Sequence, residues 1–435
     1  MRVTRTLAAA ALAGAALATP AKAVDVREVT SPSGVSFWLV EEPSIPIVAV
    51  EMSFVGGART DPADKTGLAR MTMSLLDEGA GELDTVAFSE ARDDLSARFG
   101  FEAGQDEVEV SARMLVEEAG PSAELLALAL AAPRFDEEPV ERIRGQMLSR
   151  IASAETDPND VASTAWAARA FPDHPYGRPL RGTEESVSSI TVEDLEAAHD
   201  RLLTRANARI AVVGAVDAAA AGRLVDTILA GLPEGEPVDA PRRAGPPPPG
   251  TEVIALDVPQ SVAVFGQQGL ERTDDDFFPA YVMNYVLGGG GFSSRLTEEV
   301  RVKRGLAYGV YSYLMPRDGA ALYMGGVQTA NERMAESLEV IRAEWRRMAE
   351  EGATGEELEA AKRYLTGAFP LRFDSNAKIA RFLVFAQREG LGLDYIDRRN
   401  GLIEAVTLED VNRVAKRLLD PEALSIVVVG QPAGL

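Results

Sequence analysis

An internal repeat constrains the fold of this 435-residue chain more than any other feature of its sequence. Three segments of the first half recur in the second half at a constant offset of 216 positions. They are residues 191–195 with 407–411, residues 201–203 with 417–419, and residues 212–214 with 428–430. A constant offset over that span indicates a duplicated domain, so each half is expected to repeat the same structural unit.

A proline-rich segment separates the two halves. Four consecutive prolines occupy residues 246–249, and they cannot continue a helix or a central strand. We therefore assign residues 24–235 to an N-terminal domain, 236–250 to a semi-rigid linker and 251–435 to a C-terminal domain. Because strands and helices are grouped apart in each half, the pattern favours an α+β fold over a doubly wound sheet.

Hydrophobic periodicity predicts the elements of the first half. Strands are predicted at residues 35–40, 47–54, 107–115 and 210–213. The second of them is nearly all apolar, which is typical of a central strand. Helices are predicted at residues 65–78, 87–99, 121–131, 138–154, 161–171 and 192–203.

The first 23 residues have the features of a secretory signal. Arg2 and Arg5 precede an apolar run at residues 7–18, and residues 21–23 match an A-x-A cleavage site, which predicts a mature chain that begins at Val24. The apolar run is too short to span a bilayer. The chain contains no cysteine, which excludes disulfides and cysteine-ligated metals. Export of this alanine- and arginine-rich chain predicts a periplasmic protein.

The charge of the chain excludes two classes of partner. The formal net charge is −23, and removal of the signal, with three basic residues and no acidic one, takes it to −26. Nucleic acid and anionic membranes would be repelled by such a chain. No segment beyond the signal is long and apolar enough to cross a membrane, so we expect no membrane partner.

Four consecutive glycines open the stretch of the second half that holds the candidate site: Gly288, Gly289, Gly290 and Gly291. They predict a loop with little steric restriction, able to approach another chain. Ser293 or Ser294 can cap the helix that follows. Phe292, Leu296 and Val300 recur every four residues, which predicts one buried stripe.

The helix is expected to end at Gly305, and a strand is expected at residues 306–314. Arg301 near the helix end and Tyr308 near the strand start are then predicted to point into one space. A guanidinium and a phenol converging there would suit a polarised carbonyl or a developing oxyanion. On spacing alone, an exposed arginine and a half-buried tyrosine on an ordinary helix–turn–strand unit is the simpler interpretation.

Motifs for unaided catalysis are missing. The chain has only two histidines, His174 and His199, and no His-x-x-x-His pair. His174 lies in a loop and is interpreted as part of a structural turn, and His199, beside acidic residues on a predicted helix, is expected at the surface. The glycine run lacks the Gly-Lys-Ser/Thr ending of a phosphate-binding loop.

Several motifs together resemble the pitrilysin family, the inverted zinc peptidases that include insulin-degrading enzyme and the mitochondrial processing peptidase. The similar segments are residues 55–59, 67–69, 174–179 and 294–308. In the last of these, the seven-residue spacing from Arg301 to Tyr308 is similar to the family's Arg/Tyr substrate-binding motif. The resemblance covers essentially the whole mature chain and implies tandem α+β halves that close like a clam shell.

The zinc motif of that family is replaced in this chain. Where family peptidases carry His-x-x-Glu-His, this sequence has Arg70, Met73 and Ser74 in place of the two histidines and the glutamate. The third ligand, a glutamate on a later helix, corresponds to Arg150. Because two arginines would repel a divalent cation, we expect no metal and no other cofactor in this chain.

The resemblance implies a division of labour, because in the family's heterodimers one chain brings the zinc and another holds the peptide. We therefore expect a non-catalytic subunit, inactive alone, that supplies Arg301 and Tyr308 in trans to a homologous zinc-bearing partner, with unfolded peptides as substrate. Gly288 to Gly291 and Ser294 would form a substrate-binding loop, as in the non-catalytic subunit of the mitochondrial processing peptidase; a simple flexible connection is the alternative. Two other functions stay open, namely a scaffold or peptide-binding protein with no role in hydrolysis and a self-sufficient peptidase with an unfamiliar site.

Overall fold

The structure of the chain is a computed structural model that describes residues 24–435. The predicted signal peptide, residues 1–23, lies outside the described residues. Among the residues that are described, no helix is both long and apolar enough to span a bilayer.

The first half runs from β1 to α8. Its strands are β1 (Arg27–Thr30), β2 (Ser36–Glu41), β3 (Ile47–Val55), β4 (Gly79–Ala80), β5 (Leu83–Asp84), β6 (Arg98–Ala103), β7 (Glu107–Leu115) and β8 (Ala208–Gly214). Its helices are α1 (Leu68–Met73), α2 (Thr85–Asp94), α3 (Ala119–Ala131), α4 (Glu137–Ala154), α5 (Pro158–Ala170), α6 (Glu184–Ser188), α7 (Val192–Leu202) and α8 (Ala218–Leu229).

The second half runs from β9 to β13. Its strands are β9 (Gly250–Ala255), β10 (Gln260–Gln268), β11 (Ala307–Arg317), β12 (Ala320–Ala330) and β13 (Ser425–Gly430). Its helices are α9 (Phe277–Asn284), α10 (Met334–Glu351), α11 (Gly355–Gly367), α12 (Asn376–Arg388), α13 (Tyr395–Glu404) and α14 (Leu408–Leu418), and two π-helical turns lie at Tyr285–Gly289 and Thr297–Val302.

The five strands of the second large sheet have the same order as five of the six strands of the first, which has β1 in addition. Within residues 24–435, the first sheet is ordered β1-β2-β8-β3-β7-β6 and the second β9-β13-β10-β12-β11. Each contains one parallel pair at the corresponding place, β2 with β8 and β9 with β13, and its other pairs are antiparallel. The predicted α+β class with duplicated halves is confirmed.

The repeated sequence segments form repeated local structures. Helices α7 and α14 both begin with a capping box, in which a threonine and an aspartate each accept a backbone N–H of the other residue. The pairs are Thr191 with Asp194 and Thr407 with Asp410. The same signal therefore begins the same helix in both halves.

One helix from each half packs against the sheet of the other half. Helix α5 covers the second sheet, where Trp166 is buried in one cluster with Val427 of β13. Helix α12 covers the first sheet, where Leu383 is buried in one cluster with Ala211 and Val213 of β8. We call this arrangement the helix exchange. It buries a second apolar face of each sheet, since each strand places alternate side chains on opposite faces.

Each exchanged helix also donates one side-chain hydrogen bond to a strand of the sheet it covers. The Trp166 indole N–H donates to the carbonyl of Ser425 over 2.9 Å. The Gln387 amide of α12 donates to the carbonyl of Ile210, also over 2.9 Å. Both acceptors lie near the start of the corresponding strands β13 and β8, so the two exchanged helices dock in the same way.

We expect Leu383→Ala to destabilise both halves, although the residue belongs to the second. The side chain is 1% exposed, and truncation of such a leucine costs about 2–5 kcal/mol in free energy of unfolding. Leu371→Ala, at a leucine that is 76% exposed, is the control and should change it by less than about 0.5 kcal/mol. Denaturant unfolding measures the cost, and hydrogen exchange should show lost protection in β3 and β8. Loss of protection confined to the second half would contradict the helix exchange.

Docking of α12 also buries a carboxylate of β3. Glu51 is 5% exposed, and Nη2 of Arg381 on α12 lies 3.8 Å from its Oε1. Burial raises the pKa of Glu51 to about 7; Arg381 opposes the rise, and the nearby Glu109 and Glu102 add to it. The helix therefore covers a carboxyl group that resists ionisation.

The raised pKa of Glu51 predicts a loss of stability with rising pH. Because the folded-state pKa exceeds the ordinary value of 4.5, the folded chain holds a proton more tightly than the unfolded chain, so stability falls as pH rises from about 4.5 to about 7. Glu51→Gln removes this ionisation and should gain about 3 kcal/mol relative to wild type between about pH 4 and about pH 8. Urea unfolding across that range measures the difference, with Glu339→Gln on exposed α10 surface as the charge control. A gain independent of pH would contradict the interpretation.

Two predicted helices are too long. The helix predicted at residues 65–78 is only α1, because the Asp61 carboxylate accepts the N–H groups of Gly67 and Ala69 and so sets its start. The helix predicted at residues 87–99 ends at Asp94, because Ser96 has a φ of 50° and the chain then enters β6. In both places the local backbone interrupts a helix that the apolar period alone would continue.

The proline-rich segment follows the surface between the halves. Residues 236–249 form neither helix nor strand. The Val238 N–H donates to the Asn207 side chain over 2.8 Å, and the Ala244 N–H donates to the Gly319 carbonyl over 2.8 Å. The segment is therefore attached to both halves along its course.

Candidate functional site

Two residues fix the start of the helix that carries Arg301. Ser294 is fully buried, and its hydroxyl donates to the Gly291 carbonyl over 2.9 Å. The Arg295 guanidinium donates to both carboxylate oxygens of Glu357, over 2.6 and 2.7 Å. Although burial works in the opposite direction, these hydrogen bonds hold the pKa of Glu357 at about 2. Sequence reasoning missed this ion pair, since its partners lie 62 residues apart in the chain.

The chain turns at Gly305, as the sequence predicts. Gly305 has a φ of 58°, a conformation that glycine adopts without strain, and β11 begins two residues later. Because β11 is an edge strand of the second sheet, its start is open to solvent. The Tyr308 side chain is 84% exposed there.

Arg301 lies between two aromatic rings. Its Cζ atom is 4.6 Å from the ring centroid of Tyr308 and 4.7 Å from that of Phe292. The predicted buried stripe is therefore wrong for Phe292, which is 75% exposed, and holds for Leu296 and Val300. The reason is that residues 291–293 form a separate 3₁₀ turn, which directs Phe292 outwards. Stacking between two rings restricts the guanidinium, and the sequence pattern missed it.

Arg301 is also left without an ion partner. Lys303 and Arg304, on the same helix, both bond to Glu299, and these hydrogen bonds lower the pKa of Glu299 to about 2. Over residues 24–435, the Arg301 guanidinium has neither a hydrogen bond nor an ion pair, and the Tyr308 hydroxyl has no hydrogen bond. Both groups are therefore free to donate to a ligand.

A surface hollow of about 1020 Å³ contains Arg301 and Tyr308. Its wall includes Arg333 of the second half and Ser163 of the exchanged helix α5. None of the described residues that line this hollow is an aspartate or a glutamate. The hollow is therefore positively charged, although the chain as a whole carries −23. We call it the Arg301 hollow.

The glycine run is more ordered than predicted. Gly288 and Gly289 belong to the π-helical turn that extends α9. Gly288 is buried against β11, where a Cβ atom would lie 2.2 Å from the Ser312 hydroxyl, so only glycine fits. The three glycines that directly precede Phe292 are at least partly exposed: Gly289, Gly290 and Gly291. As substrate-binding residues these three stay a prediction, whereas Gly288 and Ser294 are inaccessible to a peptide here.

The residues at the family's zinc position do not form a metal site. Arg70 and Met73 lie on α1, Ser74 follows it, and Arg150 lies on α4. Met73 is 1% exposed and belongs to the core of the first half. Burial, together with the positive charge of Arg150, lowers the pKa of Arg70. Neither arginine can ligate zinc, and within the described part of the chain no three histidine, cysteine or acidic side chains are grouped for a metal ion.

We expect the chain to bind no stoichiometric zinc, because guanidinium groups occupy two ligand positions. Equilibrium dialysis against zinc, followed by metal analysis, measures this. The triple variant Arg70→His, Ser74→His, Arg150→Glu restores the ligand types and is expected to bind about one equivalent. Stoichiometric zinc in the wild-type chain would contradict the assignment of these positions.

Both histidines have structural contacts. His174 Nδ1 accepts the Tyr176 N–H over 3.1 Å, and its Nε2 lies 2.7 Å from the carbonyl of Arg242, which agrees with the structural turn that was predicted. His199 was predicted at the surface, but it is 7% exposed, with Nε2 2.7 Å from the Leu130 carbonyl. The prediction for His199 is wrong because α7 packs that side of the helix against the end of α3.

Comparison with known proteins identifies the family of this chain. Residues 37–184 match the family model described as insulinase, peptidase family M16, and residues 189–365 match the model described as peptidase M16 inactive domain. An uncharacterised zinc protease of Mycobacterium tuberculosis is 30% identical over 408 residues, which cover 92% of each chain. The chain belongs to the M16 peptidase family. The resemblance predicted from the motifs is thereby confirmed.

Other members of the M16 family bear on its activity. A non-peptidase homologue of Helicobacter pylori is 24% identical over 390 residues, which cover 89% of this chain and 90% of that protein. The crystal structure of a peptidase M16 inactive domain from Pseudomonas fluorescens superposes with a TM-score of 0.89 at 29% identity, covering 94% of this chain and 98% of that one. Together with the arginines at the zinc position, these relatives support a non-catalytic member of the M16 family.

Proposed function

We propose that this M16 chain is the substrate-binding, non-catalytic subunit of a heteromeric zinc metallopeptidase. Arg301 and Tyr308 act in trans, on a peptide whose scissile bond lies at the zinc of a homologous partner subunit. The substrates are unfolded peptides. The predicted signal peptide supports a periplasmic location for the complex.

The proposal depends on a difference between two sites of this chain: the Arg301/Tyr308 pair can bind a ligand, whereas the zinc position cannot hold a metal ion. Arg301 and Tyr308 are accessible and have no hydrogen-bond partner among the described residues. The zinc position of the same chain holds Arg70 and Arg150, which exclude a metal ion. A chain with one usable site of the two needs the other from a partner, and the curated relatives named zinc proteases indicate the kind of chain that would supply it.

The chemistry of the pair suits a peptide carbonyl. The Arg301 guanidinium offers several cationic N–H donors, and the Tyr308 phenol offers an O–H donor. Donors directed at a carbonyl oxygen stabilise the negative charge that develops on it during hydrolysis. The stacking of Arg301 on Phe292 and Tyr308 orients the guanidinium before the peptide binds.

We expect Arg301→Ala and Tyr308→Phe each to lower the peptidase rate of the complex on the order of a hundredfold. The assay is cleavage of a quenched, unstructured peptide by this chain, by a relative from the same genome with an intact His-x-x-Glu-His, and by their mixture. Activity should occur only in the mixture and be lost with a chelator. Tyr364→Phe, at another exposed tyrosine, is the matched control, and size-exclusion chromatography checks that the subunits stay together.

Each other outcome favours a different function. Normal rates in both variants would remove the role of the pair. If the relative alone is fully active and this chain adds nothing, the scaffold or peptide-binding function becomes the better one. Hydrolysis by this chain alone would indicate a self-sufficient peptidase.

A further inference from the structure

The zinc position of this chain has become a cationic pocket. A hollow of about 620 Å³ lies between α1, α4, α5 and the loop after α5. Five arginines line it: Arg70, Arg150, Arg178, Arg181 and Arg317. In a chain of net charge −23, such a concentration of positive charge needs a physical explanation.

The two carboxylates in this arginine pocket are already engaged. Asp157 caps α5 and accepts the N–H groups of Asn159 and Asp160 over 2.8 and 3.2 Å. Asp160 forms an ion pair with Arg181. Among the described residues, neither carboxylate forms an ion pair with Arg70 or Arg150.

The Arg70 and Arg150 guanidinium groups remain without a directly bonded counter-ion. Within residues 24–435 neither guanidinium forms a hydrogen bond or an ion pair, and Glu102 only partly offsets the lowering of the Arg70 pKa. Arg178 instead donates to the Asp61 carbonyl over 3.2 Å, and the Arg317 guanidinium lies 5.2 Å from the ring centroid of Tyr176. Like charges held in one pocket repel each other, and an anion placed among them removes that repulsion.

We infer that the arginine pocket binds a carboxylate group of a peptide, through Arg70 and Arg150. The inference rests on the proposed function and names the class of its substrate, namely peptides with an acidic side chain or a free C-terminal carboxylate. A guanidinium presents a planar fork of donors that matches a carboxylate.

The walls of the pocket favour a peptide over a small inorganic anion. Met147 and Leu180 offer apolar surface beside the arginines, and Ser149 and Ser153 offer hydroxyl groups. Ser163 of α5 lines both the arginine pocket and the Arg301 hollow. One extended peptide can therefore place a carboxylate in the first and a backbone carbonyl in the second.

The test measures peptide binding to the isolated chain, so that it does not depend on catalysis by a complex. Four fluorescein-labelled unstructured peptides combine a penultimate Glu or Gln with a free or an amidated C-terminus. Fluorescence anisotropy at low salt should show at least one carboxylate-bearing peptide bound about tenfold more tightly than the Gln, amidated peptide. Loss on amidation alone identifies the C-terminus, and loss on the Glu-to-Gln change alone identifies the side chain. Equal binding of all four peptides would overturn the inference.

Variants show where the carboxylate binds. The double variant Arg70→Met, Arg150→Met should lose the tenfold preference. The double variant Arg223→Met, Arg346→Met, which removes the same charge from exposed positions of α8 and α10, should retain it. A preference retained without Arg70 and Arg150 would overturn the inference.

Thermal unfolding checks that the double variant Arg70→Met, Arg150→Met is folded. Because the variant removes the repulsion between the two arginines, its melting temperature should be unchanged or higher. The double variant Arg70→Lys, Arg150→Lys keeps the charge and should keep part of the preference. If the mixture of subunits cleaves no peptide but the isolated chain still prefers carboxylate-bearing peptides, the proposed function is contradicted and the carboxylate site is not.

Discussion

The exchange of α5 and α12 between the halves is the contact on which both candidate sites depend. Helix α5 belongs to the first half by sequence, but it lies on the second sheet. Its first turns contribute Asp157 and Asp160 to the arginine pocket, and its residue Ser163 reaches the Arg301 hollow. Without this packing, the two hollows would belong to separate domains and would have no common wall.

Electrostatics distinguish these hollows from the rest of the molecule. The surface of the chain is strongly acidic, yet both hollows hold arginines that lack a carboxylate partner. Elsewhere in the described chain arginines are commonly paired, as Arg295 with Glu357 and Arg417 with Asp274 and Asp276. Unpaired arginines in concave places are the features that neither stability nor solubility explains.

Much of the fold could be predicted because its signals are local. The apolar run of β3 and the periodicity of α7 depend on neighbouring residues, the repeat can be read directly by aligning the two halves, and the structure contains each of them. The start of α1 depends on which backbone N–H groups the Asp61 carboxylate accepts, and the burial of His199 depends on the Leu130 carbonyl of another helix. No periodicity carries that information.

The candidate site divides in the same way. The convergence of Arg301 and Tyr308 follows from a helix, a turn at Gly305 and a strand, all within one short stretch. Three other features become visible only in the folded chain. Arg295 pairs with Glu357, Phe292 is directed outwards, and five arginines line one pocket. Motif spacing identified the positions but could not show which charges have partners.

The helix exchange also bears on how a duplicated chain of this kind can arise. A single repeat folded alone would leave one apolar face of its sheet uncovered, because its own α5-like helix is directed away from it. Two identical copies would cover each other's faces by swapping that helix, which is a low-cost route to a symmetric dimer. Joining the copies through residues 236–250 converts such an ancestral dimer into one polypeptide. In such a polypeptide the side chains of the two halves can differ, provided that each exchanged helix still packs on the opposite sheet.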